Sequence, residues 1–148
     1  MKFDLKDYEL ILASNSARRI DFFKQMHIPF KIKKLKVDES YPKKLKGIEI
    51  VKYILKNKAK AVKNQLKRNQ IIIVADTIVL CDGKPLGKPK DKESGFKMIQ
   101  TLSGKTHSVV TAVGFLFKKK FHRIISSTRV TFKVLGKEEI KFYIEKYD

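Results

Sequence analysis

The chain has 148 residues, of which 43% are apolar and 10% aromatic, and 34 Lys and Arg against 15 Asp and Glu leave a formal charge of +19. This length and apolar content suit one globular domain that buries roughly 68–70% of its unfolded surface, and they exclude a disordered chain. Cys81 is the only cysteine, which excludes an intrachain disulfide or a cysteine-rich metal site; no apolar run approaches the ~18 residues of a membrane span.

The N-terminus, MKFDLKDYEL, carries acids and lacks a long apolar core, so it does not read as a signal peptide, and a reducing, cytoplasmic location is expected. Leu10–Ala13 reads as a short buried strand. Ser14 or Ser16 is expected to cap the helix that follows, with Ile20, Phe22, Phe23 and Met26 along its apolar side until Pro29 stops it. FKIKKLKV (Phe30–Val37) alternates with period two, as a half-buried strand does, and Glu39–Gly47 is a polar loop. From Ile48 to Leu66 apolar residues recur at helical spacing, with lysines on much of the opposite face.

Ile71–Val74 is a continuous apolar run, the pattern of a strand covered on both faces. The Asp-Gly in CDGK (Cys81–Lys84) signals a hairpin leading into KPLGKP. Asp91 caps a helix from Lys92 to about Leu102, and Gly104 ends it. THSVVTAVGFLF and FHRIISSTRVTF read as two long strands joined by lysines. Lys137–Tyr147 is a last helix, opening with Glu138 and Glu139 where negative charge suits the dipole. The order β-α-β-α-β-β-α-β-β-α predicts an α/β fold with a mixed β-sheet rather than a strictly alternating parallel one.

The large positive excess attracts polyanions, nucleic acid or nucleotide, but lysines spread along the whole chain do not choose between them. SNSARR is more informative. A helix start presents outward N–H groups and the positive end of the dipole; Ser14 and Ser16 add hydroxyls, and Arg18 and Arg19 can fork onto phosphate oxygens. Two cations in a first helical turn are locally unfavourable, a conflict that a bound anion would relieve; solvated arginines beside an ordinary serine cap are the plain alternative. Asp76 is expected at the end of the buried strand that begins with Ile71–Val74, so its carboxylate needs a partner, a metal or a mouth open to solvent. Asp38 and Glu39, after the second strand, could complete a hard-metal site with Asp76. Lys84, Lys88 and Lys90 lie in a Gly- and Pro-rich turn that is not a P-loop. His27, His107 and His122 do not form a ligand set, and Cys81 with a histidine lacks the spacing of a nucleophile pair.

In order along the chain, LASNSARR, VDES, NKAKAV, VADTIV, LGKP, LSGKTHSVVTAV and STRVTF together resemble the Maf family of nucleotide pyrophosphatases, related in fold to the inosine-triphosphate pyrophosphatases. The resemblance runs from Leu10 to about Tyr147, and ADTIV with SGKTHSVVTAV is similar to the branch that hydrolyses dTTP and UTP. Ala17 stands where the family usually has proline, and the family's later Lys-Ala-Gly-x-Tyr-Gly-x-Gln motif is expected to be missing after Asp148. The resemblance implies a mixed β-sheet with flanking helices around a central cleft, and cleavage between the α and β phosphates. It implies that Ser14, Ser16, Arg18, Arg19, Lys58 and Lys88 hold the phosphates, that Glu39 and Asp76 bind Mg2+ or Mn2+, and that Asp76 activates the water. A homodimer is also implied. The competing expectations are a nucleic-acid-binding module driven by charge and a protein that binds nucleotides without turnover.

Overall fold

The computed structural model describes residues 7–118 and 120–146. Lys119, Tyr147 and the first residues of the N-terminal segment read above lie outside that set. The elements follow the expected order: β1 (Glu9–Ala13), α1 (Ala17–Gln25), β2 (Lys31–Lys33), α2 (Ile48–Lys63), β3 (Gln70–Cys81), β4 (Lys84–Leu86), α3 (Lys92–Leu102), β5 (Thr106–Phe117), β6 (Lys120–Thr131) and α4 (Lys137–Lys146).

The strands form one mixed sheet in the order β2-β1-β3-β5-β6, with β4 paired to β3. β1 is parallel to both β2 and β3, while β3 is antiparallel to β5 and β5 to β6. From β1 the chain crosses to β2 on one side, then passes back beyond β1 to β3 on the other. The two crossover helices cover opposite faces. Val51, Leu55, Ala59 and Val62 of α2 pack with Ile72 and Val74, whereas Ile20 and Phe23 of α1 pack on Leu10, Leu12, Ile71 and Ile73. The period-two alternation of β3 thus hands its even residues to α2 and its odd residues to α1.

Local signals hold where they are complete within a few residues. Asp91 accepts the Ser94 N–H at 2.7 Å and Ser94 Oγ accepts the Asp91 N–H at 3.1 Å, a reciprocal capping box at the start of α3. Asp82 and Gly83 both take positive φ, 49° and 73°, as the two-residue turn between β3 and β4 requires.

Four expectations are corrected. α1 ends at Gln25, and the chain turns at His27 (φ 53°) before Pro29 is reached. Within α1, Ile20 and Phe23 pack inward but Phe22 is 60% and Met26 43% exposed, because the three-residue β2 offers this edge little sheet to cover. The strand expected over Phe30–Val37 shrinks to Lys31–Lys33, since a side chain of Asn15 takes over the pairing beyond it. β3 runs far past Val74 because β5 pairs with it from Ile71 to Leu80. Asp76 therefore lies inside a strand, not at its end.

Candidate active site

The site forms where β1 stops and β3 continues. β1 pairs with β3 as far as Leu12↔Ile73, so Ala75, Asp76 and Thr77 have lost their neighbour on that side. This is the carboxyl end of β1, at the point where the two crossovers diverge, the place where open α/β sheets bind ligands. Alternation places Asp76 on the α2 face and Thr77 on the α1 face, and each meets a cation there.

On the α2 face, Lys58 is buried and its ammonium donates to Asp76 Oδ1 at 2.6 Å and to the Ala75 carbonyl at 3.3 Å. The same nitrogen lies 2.9 Å from Glu39 Oε1. Glu39 comes from the loop after β2, and its other oxygen is 3.3 Å from Lys88 Nζ. Four of the expected site residues, Asp76, Lys58, Glu39 and Lys88, thus form one chain of alternating charge. Its inner end is buried, with the Lys58 and Asp76 side chains 9% and 10% exposed, and its outer end is open, with Lys88 at 90%.

On the α1 face, Arg19 donates from Nη1 to the Ala75 carbonyl at 2.9 Å and from Nη2 to Thr77 Oγ1 at 3.1 Å. Thr77 Oγ1 is also 3.0 Å from Thr111 Oγ1 on β5. Burial lowers the Arg19 pKa from its ordinary value, opposed by the charges of Asp76 and Glu39 and aided by Arg18. The Ala75 carbonyl, taken by both Lys58 and Arg19, ties the two faces together. Arg18, the preceding residue of α1, is exposed.

Ser14 is buried, and its Oγ accepts the Ser16 N–H at 3.2 Å, which shapes the turn into α1. Ser16 occupies the N-cap, but its side chain makes no capping hydrogen bond, and the first turn holds no acidic residue. The start of α1 therefore keeps its positive end beside two arginines. Of the two carboxylates expected after β2, only Glu39 joins the cluster. Asp38 accepts the Ser40 N–H at 2.8 Å and the Ser40 hydroxyl at 2.6 Å, closing its own turn. Cys81 is buried at the far end of β3, and His107 is buried against Phe132; neither takes part.

Two contributors escaped the sequence reading. Asn15 Nδ2 donates to the Leu35 carbonyl at 2.7 Å, and the Leu35 N–H donates to Asn15 Oδ1 at 3.0 Å. The β1–β2 pairs Ile11↔Lys31 to Ala13↔Lys33 keep an offset of 20, and Asn15 to Leu35 continues it. The side-chain amide acts as one more ladder rung and aims the loop that carries Glu39. Thr77, which fixes the Arg19 fork, is the other. A threonine on each of two strands is a recognisable cross-strand pair, but only once their register is known.

Among the described residues no three His, Cys, Asp or Glu side chains gather as a metal cluster. Glu39 and Asp76 nonetheless face one another across a single ammonium, and Mg2+ needs only one or two carboxylates when substrate phosphates and waters complete its shell. The donor set fits such an ion. Pockets of about 490 Å³, lined by α4 residues such as Ile140, Phe142 and Tyr143, and about 310 Å³, lined by Leu66, Lys67, Arg68 and Lys118, lie elsewhere. The charged cluster opens to solvent through Glu39 and Lys88.

The Lys58 hydrogen bond holds the Glu39 carboxyl below its ordinary pKa, with burial opposing and the charges of Lys58 and Lys88 assisting. A carboxyl lowered on folding stabilises the fold above its unfolded pKa and loses that contribution as pH falls through the lowered value. The stability difference between wild type and Glu39→Gln, measured by urea titration, should therefore be constant near neutrality and narrow below about pH 4. A gap that stays constant to strong acid would show that Glu39 is not ion-paired in solution.

A family model described as Maf-like protein matches residues 9–148. A dTTP/UTP pyrophosphatase of Flavobacterium johnsoniae is 44% identical over 147 residues, covering 99% of this chain and 76% of that protein. One from Bacteroides thetaiotaomicron is 41% identical over 145 residues, covering 97% and 75%. Among solved structures, the Staphylococcus aureus Ham1 protein superposes with a TM-score of 0.57 at 16% identity, covering 82% of this chain and 70% of that one. That likeness bears on the fold and agrees with the mixed sheet and flanking helices. Among the described residues no helix is long and apolar enough to cross a membrane.

Proposed function

The chain belongs to the Maf-like protein family, and from that premise we propose that it hydrolyses dTTP and UTP to the nucleoside monophosphate and pyrophosphate. The relatives named above are dTTP/UTP pyrophosphatases. The observation that carries the reading is the buried Asp76 of β3, beyond the point where β1 stops, in a cluster with cations from α1, α2 and the β4–α3 loop.

In this reading Arg18, Arg19 and Lys88, with the N–H groups at the start of α1 and the Ser14 and Ser16 hydroxyls, bind the triphosphate. Asp76 orients a water toward the α-phosphorus and accepts its proton. The new bond joins the water oxygen to phosphorus, the α–β bridging P–O bond breaks, and the electron pair leaves with pyrophosphate. Glu39 and Asp76 would hold Mg2+ or Mn2+, which when bound supplies neutralisation of the charge that develops on the phosphate oxygens. Before a metal ion enters, Lys58 bridges the two carboxylates. Arg19, braced on Ala75 and Thr77, presents its charge without spending entropy to find its place.

Pyrophosphate release from dTTP, UTP, CTP and GTP with Mg2+ tests the proposal, with dTTP and UTP expected to turn over fastest. Nucleotide binding without release would leave a binder, and affinity for oligonucleotides that falls steeply with salt, again without release, would favour a nucleic-acid module. Arg19→Ala should lower kcat/KM by about 10–100-fold, the worth of a charge-assisted contact of ~1.5–3 kcal/mol. Unaltered kinetics would remove Arg19 from the site.

A further inference from the structure

We propose that Lys58 occupies the seat of the divalent cation in the resting site, and must be drawn off by the nucleotide before the site can load. The inference rests on the hydrolase reading above and concerns how its site is regulated. The ammonium contacts Asp76 Oδ1 at 2.6 Å, Glu39 Oε1 at 2.9 Å and the Ala75 carbonyl at 3.3 Å. The ammonium hydrogen-bonds Asp76 Oδ1 and the Ala75 carbonyl and is ion-paired with Glu39, so its charge and most of its three donors are committed to protein oxygens before any phosphate arrives. The two carboxylates that suit a divalent ion are the two that Lys58 already neutralises.

Both cations cannot share those oxygens at contact distance. A divalent ion that takes Asp76 Oδ1 and Glu39 Oε1 obliges Lys58 to release at least one carboxylate, and with its side chain 9% exposed the buried ammonium, now beside a second cation, would be left short of negative charge, which is costly. A triphosphate supplies the missing acceptors, and the flexible lysine stem can swing to them. Glu39 is the partner built to let go. It sits on a loop, its side chain is 44% exposed, and its second oxygen is held only by the exposed Lys88. Cation and nucleotide therefore favour one another's binding, each removing the cost that the other would meet alone.

The test is Mn2+ binding to the full chain, read by electron paramagnetic resonance, with and without an α,β-methylene dTTP analogue and corrected for Mn2+ held by the free analogue. Wild type alone should bind Mn2+ at least about tenfold more weakly than wild type with the analogue, and Lys58→Gln alone at least about tenfold more tightly than wild type alone, since ligand charge governs such affinities. Equal Mn2+ affinity of wild type and a folded Lys58→Gln, without nucleotide, overturns the proposal. If Lys58→Gln does not fold, the wild-type arm decides, and Mn2+ affinity that is indifferent to the analogue overturns it equally. Absent pyrophosphate release with the Mn2+ pattern intact counts against the hydrolase reading alone; release with the pattern lost counts against Lys58 alone.

Discussion

Asp76→Asn is expected to lower pyrophosphate release by about 10²–10⁴-fold, the usual contribution of a positioned general base, while leaving the urea midpoint close to wild type. The separation of the two effects comes from geometry. Asparagine has nearly the shape of aspartate and keeps an oxygen facing Lys58, whose ammonium also retains Glu39 and the Ala75 carbonyl. No buried charge is orphaned, so the main penalty of breaking a buried pair is avoided. What the amide cannot do is accept a proton from water or carry negative charge toward a cation. Wild-type release by the variant would strip Asp76 of its role, however well it sits in the cluster.

Leu55→Ala is expected to do the opposite, removing about 2–5 kcal/mol of stability from a total that is rarely more than about 5–15 kcal/mol, with kcat per folded molecule near wild type. Leu55 is fully buried in α2 and belongs to the cluster formed with Val51, Ala59, Val62, Ile72, Val74 and Ala112. Its removal leaves a hole between helix and sheet that rigid β3, paired on both sides, cannot close. Lys58 lies on the same helix, so molecules that remain folded still present its ammonium to Asp76. Urea unfolding and kinetics on the same preparation read both quantities. A loss below about 1 kcal/mol would mean that the site collapses onto the gap, and a large fall in kcat would mean that α2 shifts and carries Lys58 with it.

Asp91 with Ser94, and Asp82 with Gly83, behave as their neighbours in sequence predict. So do the helical spacing of Val51, Ile54, Leu55, Ala59 and Val62 and the element order. Each of these signals is complete within a single element or turn, and nothing distant has to agree with it. Arg19, Glu39, Lys88 and Asp76 are also legible as residue types in particular places, whereas Lys58, one of many lysines on its helix, stands out only through the family resemblance.

Which of them touch was not legible. Lys58 and Asp76 are 18 residues apart, and Arg19 and Thr77 58 apart; both pairs exist because the two crossovers, β1-α1-β2 and β2-α2-β3, run in opposite directions across the sheet and put α1 and α2 on opposite faces of β3. The same tertiary choice shortened β2, exposed Phe22, gave Asn15 a strand's task and admitted Glu39 to the cluster, while Asp38 is held out of it by its own turn onto Ser40. Periodicity, caps and turns are local energies and can be read locally. Partners in an ion pair are set by where the chain returns, and that depends on burying the whole sheet at once.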